Sequence, residues 1–197
     1  MEISASLVKD LRDRTGAGMM ECKKALTESS GDLERAATIL RERGIAKASS
    51  KEGRATAEGV VATYVHPGDK LAVLVEINCE TDFVARTDQF KAFARDVAMH
   101  VAATNPLCIK REEVDSSILT KEREIYRQQA LNDGKPAQIV DKIVDGRVEK
   151  YYGEVVLMEQ PFVKDNDKTI TDLLKGAIAQ FGENVQIKRF VRYRLGE

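Results

Sequence analysis

A strand, turn, strand and helix pattern between residues 59 and 105 constrains the fold of this chain more than any other feature. Gly59 to His66 is rich in Val, Thr and Tyr, and Leu71 to Asn78 alternates apolar with polar residues. The turn sequence Pro67-Gly68-Asp69-Lys70 lies between them, so we expect an antiparallel hairpin. Apolar residues then recur at helical spacing from Phe90 to Val101, and Asn105-Pro106 ends that helix. The sequence therefore predicts an α+β fold.

The first 50 residues carry the apolar spacing of three short helices. Gly16-Ala17-Gly18 separates the first two, and Asp32 is the predicted N-cap of a third helix from Leu33 to Arg43. Gly44 stands where a glycine commonly ends a helix, so we expect the third helix to stop there. The apolar contacts between the helices are predicted to come from Ile3, Leu7 and Leu11, then Met20, Ala25 and Leu26, then Leu33, Ala36, Ala37 and Leu40.

The rest of the chain is predicted to form one core domain, residues 57–197, behind a polar linker at residues 51–56. Residues 118–152 carry two polar-surfaced helices joined at Asn132–Pro136, which we expect to project as a helical hairpin. A last helix, Thr171 to Phe181, is followed by a strand from Val185 to Tyr193, the third strand of a small antiparallel sheet. The predicted apolar seam of the hairpin is Ile118, Ile125, Ile139, Ile143 and Val148.

Charge and hydropathy narrow the classes of function. The chain has 197 residues and a formal net charge of -1, and this balance argues against direct binding of nucleic acid through phosphate neutralisation. No apolar run is long enough to span a bilayer, and the charged N-terminus has no signal-peptide centre, so we expect a cytoplasmic protein that does not enter membranes. The three cysteines are widely spaced and predict neither a disulfide framework nor a zinc site.

The sequence offers no constellation that predicts catalysis. Gly16-Ala17-Gly18 with Lys23 lacks both the spacing and the preceding strand of a phosphate-binding loop. His66 and His100 have no partner at a spacing that would make a metal site or an acid–base pair. We therefore predict a protein that is not an enzyme and that needs no metal or other cofactor.

The segment Asn78 to Arg86 joins the second strand to the following helix and contains a large aromatic residue among polar neighbours. One interpretation makes Phe83 a core residue, with Asp82 beside the N-terminus of the helix. The other makes Phe83 an anchor at a loop tip that enters a pocket of a partner protein. The residue pattern alone leaves both interpretations open.

The same segment, N-C-E-T-D-F-V-A-R, resembles a signature of bacterial translation elongation factor Ts, and Thr15 to Leu26, T-G-A-G-M-M-E-C-K-K-A-L, resembles the family's other signature. Shorter similarities occur at Met99 to Ala103, Gly134 to Pro136, Gln160 to Val163 and Gly182 to Val185. The resemblance spans essentially the whole chain, and two long motifs in the right order are far more specific than one short pattern.

The resemblance implies a guanine nucleotide exchange factor that binds elongation factor Tu and promotes release of GDP during translation elongation. Residues 1–50 would then be a ubiquitin-associated-like bundle that contacts Tu. The implied partner-binding residues are Thr81, Asp82, Phe83 and Val84, with Asp82 and Phe83 entering Tu near its nucleotide and Mg²⁺ site. Met19 and Met20 are further candidates, although they could equally pack inside the bundle.

The chain is shorter than some family members, which have a second core unit, and this difference implies a twofold homodimer in which sheets or final strands meet. The last strand here lacks the cysteine that some short relatives use to bridge the dimer, so the contact is expected to be noncovalent. Other hypotheses are an interaction module whose first 50 residues bind ubiquitin-like or nascent-chain partners, an enzyme, and an RNA-binding protein.

Overall fold

In the computed structural model, the chain is described over residues 3–51 and 53–197, and its mixed architecture confirms the predicted α+β class. Two 3₁₀ helices, Arg111–Glu113 and Leu157–Glu159, accompany the regular elements. These elements are α1 (Ala5–Thr15), α2 (Met19–Glu28), α3 (Leu33–Ser49), β1 (Glu58–Val65), β2 (Leu71–Cys79), α4 (Asp82–Ala85), α5 (Asp88–Thr104), α6 (Ser116–Asn132), α7 (Ala137–Val155), β3 (Pro161–Phe162), β4 (Asp165–Thr169), α8 (Ile170–Phe181) and β5 (Val185–Arg194). None of the described helices is long and apolar enough to cross a membrane.

The three-stranded antiparallel sheet has the order β1-β2-β5, which confirms the predicted hairpin and third strand. The His66 amide donates to the Leu71 carbonyl at 2.9 Å and closes the hairpin. Alternate residues of β2 are buried, because successive side chains of a strand point to opposite faces. The pair β3-β4 was not predicted, because β3 has only two residues and β4, Asp-Asn-Asp-Lys-Thr, has no apolar alternation.

The described chain forms two compact units. The first contains the chain up to Val61 together with Glu76–Ala94 and Asp172–Lys188. The second contains Ala62–Val75, Arg95–Thr171 and Arg189–Glu197. The domain limits 1–50, 51–56 and 57–197 stay a prediction, and Glu52 in the predicted linker lies outside the described residues.

In the first unit, α1, α2 and α3 pack as the predicted bundle. Asp32 caps α3, since its carboxylate accepts the Arg35 amide at 3.0 Å. The expectation that Met20 packs inside the bundle was wrong, because 77% of Met20 is exposed and Cys22 takes the buried position of that turn. The buried core consists of Val8, Leu11, Cys22, Ala25, Leu26 and Ala36.

The third helix is longer than predicted. Gly44 does not end α3, which continues to Ser49. A Cβ atom at Gly44 would lie only 3.2 Å from the Cβ atom of Ala179 on α8, so this glycine permits a close approach of two helices. A glycine at a helix contact and a glycine at a helix end look alike in a single sequence, and here the contact explains the residue.

In the second unit, α6 and α7 form the predicted helical hairpin, and Ile143 and Val148 lie in its apolar seam as predicted. Ile118, Ile125 and Ile139 are exposed, so their predicted place in the seam was wrong. Leu119 and Tyr126, one position later along α6, pack against α7 instead, at heptad spacing with each other. The seam also contains Ala130, Val140, Ile143, Val144, Val148 and Tyr152. Ion pairs between α6 and α7 lie beside it.

His100 lies fully buried in the second unit and is held as a neutral ring. Its Nε2 lies 2.9 Å from Oε1 of Gln160, and its Nδ1 accepts the amide N–H of Val163 at 3.3 Å. Because Nδ1 accepts, the ring proton is on Nε2, which donates to Gln160. Burial lowers the pKa of His100, with the Gln160 hydrogen bond opposing this effect more weakly. These contacts give His100 a role in packing.

Gly59 is the residue whose backbone the sheet constrains most tightly. Its φ of +152° is rarely adopted by residues with a side chain. A Cβ atom there would come 2.2 Å from the carbonyl oxygen of Ile77. The strand β1 can therefore approach β2 at this point only with glycine.

We predict that Gly59→Ala lowers the free energy of unfolding by about 2 kcal/mol or more, because it combines backbone strain with a steric clash. Urea denaturation followed by circular dichroism measures the change. Gly146→Ala is the matched control: Gly146 lies within α7, and a Cβ atom there meets nothing within 4 Å. The control should raise the free energy of unfolding by up to about 1 kcal/mol, since alanine favours a helix. Equal effects of the two substitutions would contradict the assignment.

The neutral state of His100 predicts a pH-dependent stability. The folded pKa lies below the unfolded value of about 6.5, so the stabilisation is complete above pH ~6.5 and is lost as the pH falls toward the folded pKa. Denaturation between pH 5 and 8 should show this slope, and His100→Gln should remove it. His66→Gln, a substitution at the exposed histidine of the hairpin turn, is the matched control. An unchanged slope in His100→Gln would refute the assignment.

Candidate protein-binding site

The short helix α4 presents Phe83 to solvent at the exit of β2. Phe83 is 80% exposed, whereas Ala85 on the same helix is buried. The interpretation of Phe83 as a core residue was therefore wrong, and so was the expectation of a loop tip, because the ring stands on a helical turn. Thr81 is the N-cap of this turn, and its hydroxyl accepts the Val84 amide at 3.4 Å.

Two glutamates hold the segment before α4, and we call this arrangement the carboxylate clasp. Oε2 of Glu183 accepts the amides of Glu80 and Thr81, at 3.1 and 3.0 Å. Oε1 of the same carboxylate accepts the hydroxyl of Thr81 at 2.6 Å. In return, Oε1 of Glu80 accepts the amide of Asn184 at 2.6 Å. Each of two chain segments about 100 residues apart thus supplies a carboxylate to the backbone of the other.

Arg54 and Asn184 extend the clasp. The Asn184 side-chain amide donates to the Arg54 carbonyl at 2.8 Å, and Asn184 is buried. The Arg54 guanidinium lies 3.6 Å from the Glu80 carboxylate. The segment after the bundle, the exit of β2 and the turn before β5 are therefore joined through polar contacts within one unit.

Sequence reasoning missed Glu183 as a functional candidate. The residue follows Gly182, whose φ of +73° marks the tight turn between α8 and β5. No periodic pattern connects Glu183 with Thr81, because their contact is set by the packing of α8 and β5. The sequence predicted a turn between Phe181 and Val185 and showed a family similarity at Gly182 to Val185, but neither feature gave Glu183 a role.

Asp82 and Arg86 lie before and after Phe83 in the chain and form an ion pair one helical turn apart. The Asp82 carboxylate and the Arg86 guanidinium are 2.9 Å apart, and both side chains are substantially exposed. A pair of this kind is worth little to stability, so either group can change partner on binding. Val84 is half-buried, and the Thr81 hydroxyl is occupied by Glu183 and the cap of α4.

Met19 and Met20 begin α2 and are both exposed, at 44% and 77%. Met20 borders an open concavity on this helix together with Lys23, Lys24 and Thr27. Flexible, polarizable methionine side chains suit an adaptable protein contact. Both methionines belong to the same compact unit as Phe83.

The bundle is connected to the clasp through α8. A Cβ atom at Gly16 would meet the Gln180 side chain at 3.6 Å, and Gly44 packs against Ala179. The Lys51 ammonium donates to the Gly182 carbonyl, one residue before Glu183. These contacts lie within the first unit and fix the bundle on the helix that leads into the clasp.

The cysteine beside the carboxylate clasp is a structural residue and not a reactive one. Cys79 is buried and its thiol donates to the Thr81 carbonyl at 3.2 Å. Burial raises the pKa of the Cys79 thiol, helped by the nearby negative charge of Glu183, so the thiol is a poor nucleophile. Among residues 3–51 and 53–197, no group of three His, Cys, Asp or Glu side chains is placed to hold a metal ion.

Comparison with known proteins identifies close relatives. The family model described as "Elongation factor TS" matches residues 33–197. The chain is 58% identical to Elongation factor Ts of Carboxydothermus hydrogenoformans over 195 residues, 99% of this chain and 90% of that protein. It is 58% identical to Elongation factor Ts of Desulforamulus reducens over 196 residues, and 55% identical to that of Alkaliphilus oremlandii over 197 residues, covering 90% and 91% of those proteins.

Proposed function

The chain belongs to the elongation factor Ts family, and on this premise we propose that it is a guanine nucleotide exchange factor for elongation factor Tu. In this proposal the chain binds Tu in the cytoplasm, promotes release of GDP and has no catalytic chemistry of its own. Binding of Tu requires neither nucleic acid nor a membrane. The observation that carries the proposal is the exposure of Phe83 on a firmly held helical turn.

An exchange factor acts only through differential affinity. It accelerates GDP release to the extent that it binds the nucleotide-free partner more tightly than the GDP-bound partner. We propose that Phe83 supplies this difference by entering a gap in Tu that opens when the nucleotide site is disturbed. An aromatic ring that is 80% exposed in the free chain has nearly all of its surface left to bury.

The magnitude of this effect is adequate. A Phe side chain buries roughly 150–250 Å², which at about 25 cal/mol/Å² gives roughly 4–6 kcal/mol. Accelerating release by about 10⁴-fold requires roughly 5.5 kcal/mol. Part of the gain is consumed in parting the partner's elements, so Phe83 needs support from further contacts.

Asp82 and the two methionines are the proposed sources of that support. The ion pair between Asp82 and Arg86 lies on the surface and contributes little to stability. Asp82 would leave this pair and bind polar groups near the Mg²⁺ of Tu. Met19 and Met20 would add apolar contact from the bundle, and Thr81 and Val84 would line the base of the Phe83 contact. The exposure of both methionines supports this assignment.

We also propose that the chain forms a noncovalent homodimer through the outer face of its sheet. The Leu195 amide donates to the Lys70 carbonyl at 2.9 Å, which aligns β5 against β2 in the second unit. In the second unit, exposed apolar residues on these strands, on β1 and just after β5 include Val65, Leu74, Val191, Tyr193 and Leu195. An exposed apolar sheet face of this kind is typical of an interaction surface. The three cysteines are free, and none lies on β5.

We predict that Phe83→Ala slows the stimulated release of GDP from Tu by about 30-fold, the effect of losing a hot-spot contact worth about 2 kcal/mol. Stopped-flow release of a fluorescent GDP analogue from Tu, with and without this chain, measures the rate. The fold should persist, because the ring makes little contact within its own chain.

Leu131→Ala is the matched control for this experiment. Leu131 is another exposed apolar residue, on α6, and its truncation should leave stimulated release unchanged. Wild-type rates in Phe83→Ala would count against the proposed anchor. Loss of far-ultraviolet circular dichroism in that variant would instead favour a structural role for the ring.

The homodimer is tested by a charge on the outer sheet face. Tyr193→Asp places a carboxylate on a strongly exposed position of β5, and we expect it to shift the mass in sedimentation equilibrium from dimer to monomer. Ile118→Asp, an equally drastic change on α6, should leave the dimer intact. A monomeric wild-type chain at micromolar concentration would refute the dimer and leave the exchange function standing.

A further inference from the structure

We propose that Glu183 is a positioning residue for nucleotide exchange, which acts on the partner only by holding the turn that carries Phe83. This inference rests on the proposed exchange function and extends it to a residue on a different part of the chain. Glu183 itself lies in the turn between α8 and β5, whereas Phe83 lies between β2 and α5. The carboxylate clasp is the physical connection between them.

The helix that carries Phe83 cannot hold its own geometry. It has four residues, far fewer than an isolated helix needs to form in water. Its fixed points include the burial of Ala85, the N-cap Thr81 and the Thr87 hydroxyl, which donates to the Val84 carbonyl at 2.8 Å. Thr81 can cap the helix only while its side chain keeps one rotamer, so whatever holds Thr81 also holds the direction of the Phe83 ring.

Glu183 fixes Thr81 at two atoms. Its Oε1 accepts the Thr81 hydroxyl proton at 2.6 Å, which leaves the hydroxyl lone pairs turned toward the Val84 amide. Its Oε2 accepts the Thr81 and Glu80 amides, so the backbone before α4 is held as well. Hydrogen bonds to an ionised carboxylate are about twice as strong as neutral ones. The charge of Glu183 is therefore part of its function.

The effect of Glu183 on the rate of GDP release follows from the fraction of chains that hold Phe83 in the binding-competent direction. If only a fraction of the free chain holds Phe83 in the binding-competent direction, the apparent affinity falls by that fraction. Removing three charge-assisted hydrogen bonds is expected to loosen the turn so that this fraction drops about tenfold. The Phe83 side chain is still present, but it contacts Tu less often because fewer chains hold it in the binding-competent direction.

The test measures the clasp and the exchange separately. Hydrogen–deuterium exchange on Glu183→Ala should show the amides of Glu80 and Thr81 exchanging about tenfold faster, with the amides of α7 unchanged. Stimulated GDP release from Tu should slow about tenfold in Glu183→Ala and less in Glu183→Gln, which keeps one acceptor oxygen. Glu112→Gln, on an exposed residue of the first 3₁₀ helix, controls for the loss of a carboxylate and should leave both readouts unchanged.

A double-mutant cycle gives the readout that a merely structural role would not move. In a chain that already carries Phe83→Ala, adding Glu183→Ala should change the release rate by less than about twofold, because Glu183 acts only through the ring. A further tenfold loss would overturn the proposal, since it would mean a direct contact or general destabilisation. If Glu183→Ala fails to fold, Glu183→Gln, which keeps the size of the side chain and removes its charge, takes its place in the same cycle.

The two proposals fail in different ways. A wild-type chain that leaves GDP release at its intrinsic rate would refute the exchange function itself. A wild-type chain that accelerates release, while Glu183→Ala accelerates it equally or leaves the Glu80 and Thr81 amides protected, would refute the positioning role alone.

Discussion

The exchange of carboxylates between Glu80 and Glu183 is the interaction on which the candidate binding site depends. Each side chain accepts backbone N–H groups of the opposite segment, so neither segment can move without leaving charged groups unpaired. Breaking such a bond costs the desolvation of the group left behind as well as the bond itself. Part of the clasp is shielded from water, which strengthens it. A small sheet and a four-residue helix thereby acquire a defined geometry at the point where they meet solvent.

Holding an aromatic ring in water costs free energy to the folded chain, and the surrounding structure offsets that cost locally. Ala85 is buried two residues after Phe83, and Cys79 is buried before the clasp, so the exposed turn lies between two anchors. The thiol of Cys79 donates to the Thr81 carbonyl and adds a further contact to this N-cap residue. A ring that is already oriented loses less entropy on binding than a ring on a mobile loop, which favours affinity.

The sequence allowed prediction of elements whose signal is local. The alternation in Leu71 to Asn78, the helical spacing after Phe90 and the N-cap at Asp32 are each visible within a few residues, and each was confirmed. The errors have a different origin. Gly44 was assigned to a helix end although it serves a contact with Ala179, and Ile118 and Ile125 were assigned to the hairpin seam although the next residue in each case packs there. In both cases the deciding neighbour lies on another helix, and local patterns contain no information about it.

The candidate site likewise has a part that local sequence predicts and a part that depends on distant contacts. The segment around Phe83 could be singled out because it joins a predicted strand to a predicted helix and holds a large aromatic residue among polar ones. Whether the Phe83 ring is exposed could not be decided from the pattern. The role of Glu183 could not be derived from the residue pattern, since its partners lie about 100 residues earlier in the chain. Ala179 and Gln180 of α8 contact Gly44 and Gly16 of the helical bundle, and Gly182 in the following turn accepts a hydrogen bond from Lys51, just after the bundle. The same short stretch of α8 and its turn therefore contacts both the bundle and the segment before Phe83, so under our proposal the two binding regions depend on one packing arrangement.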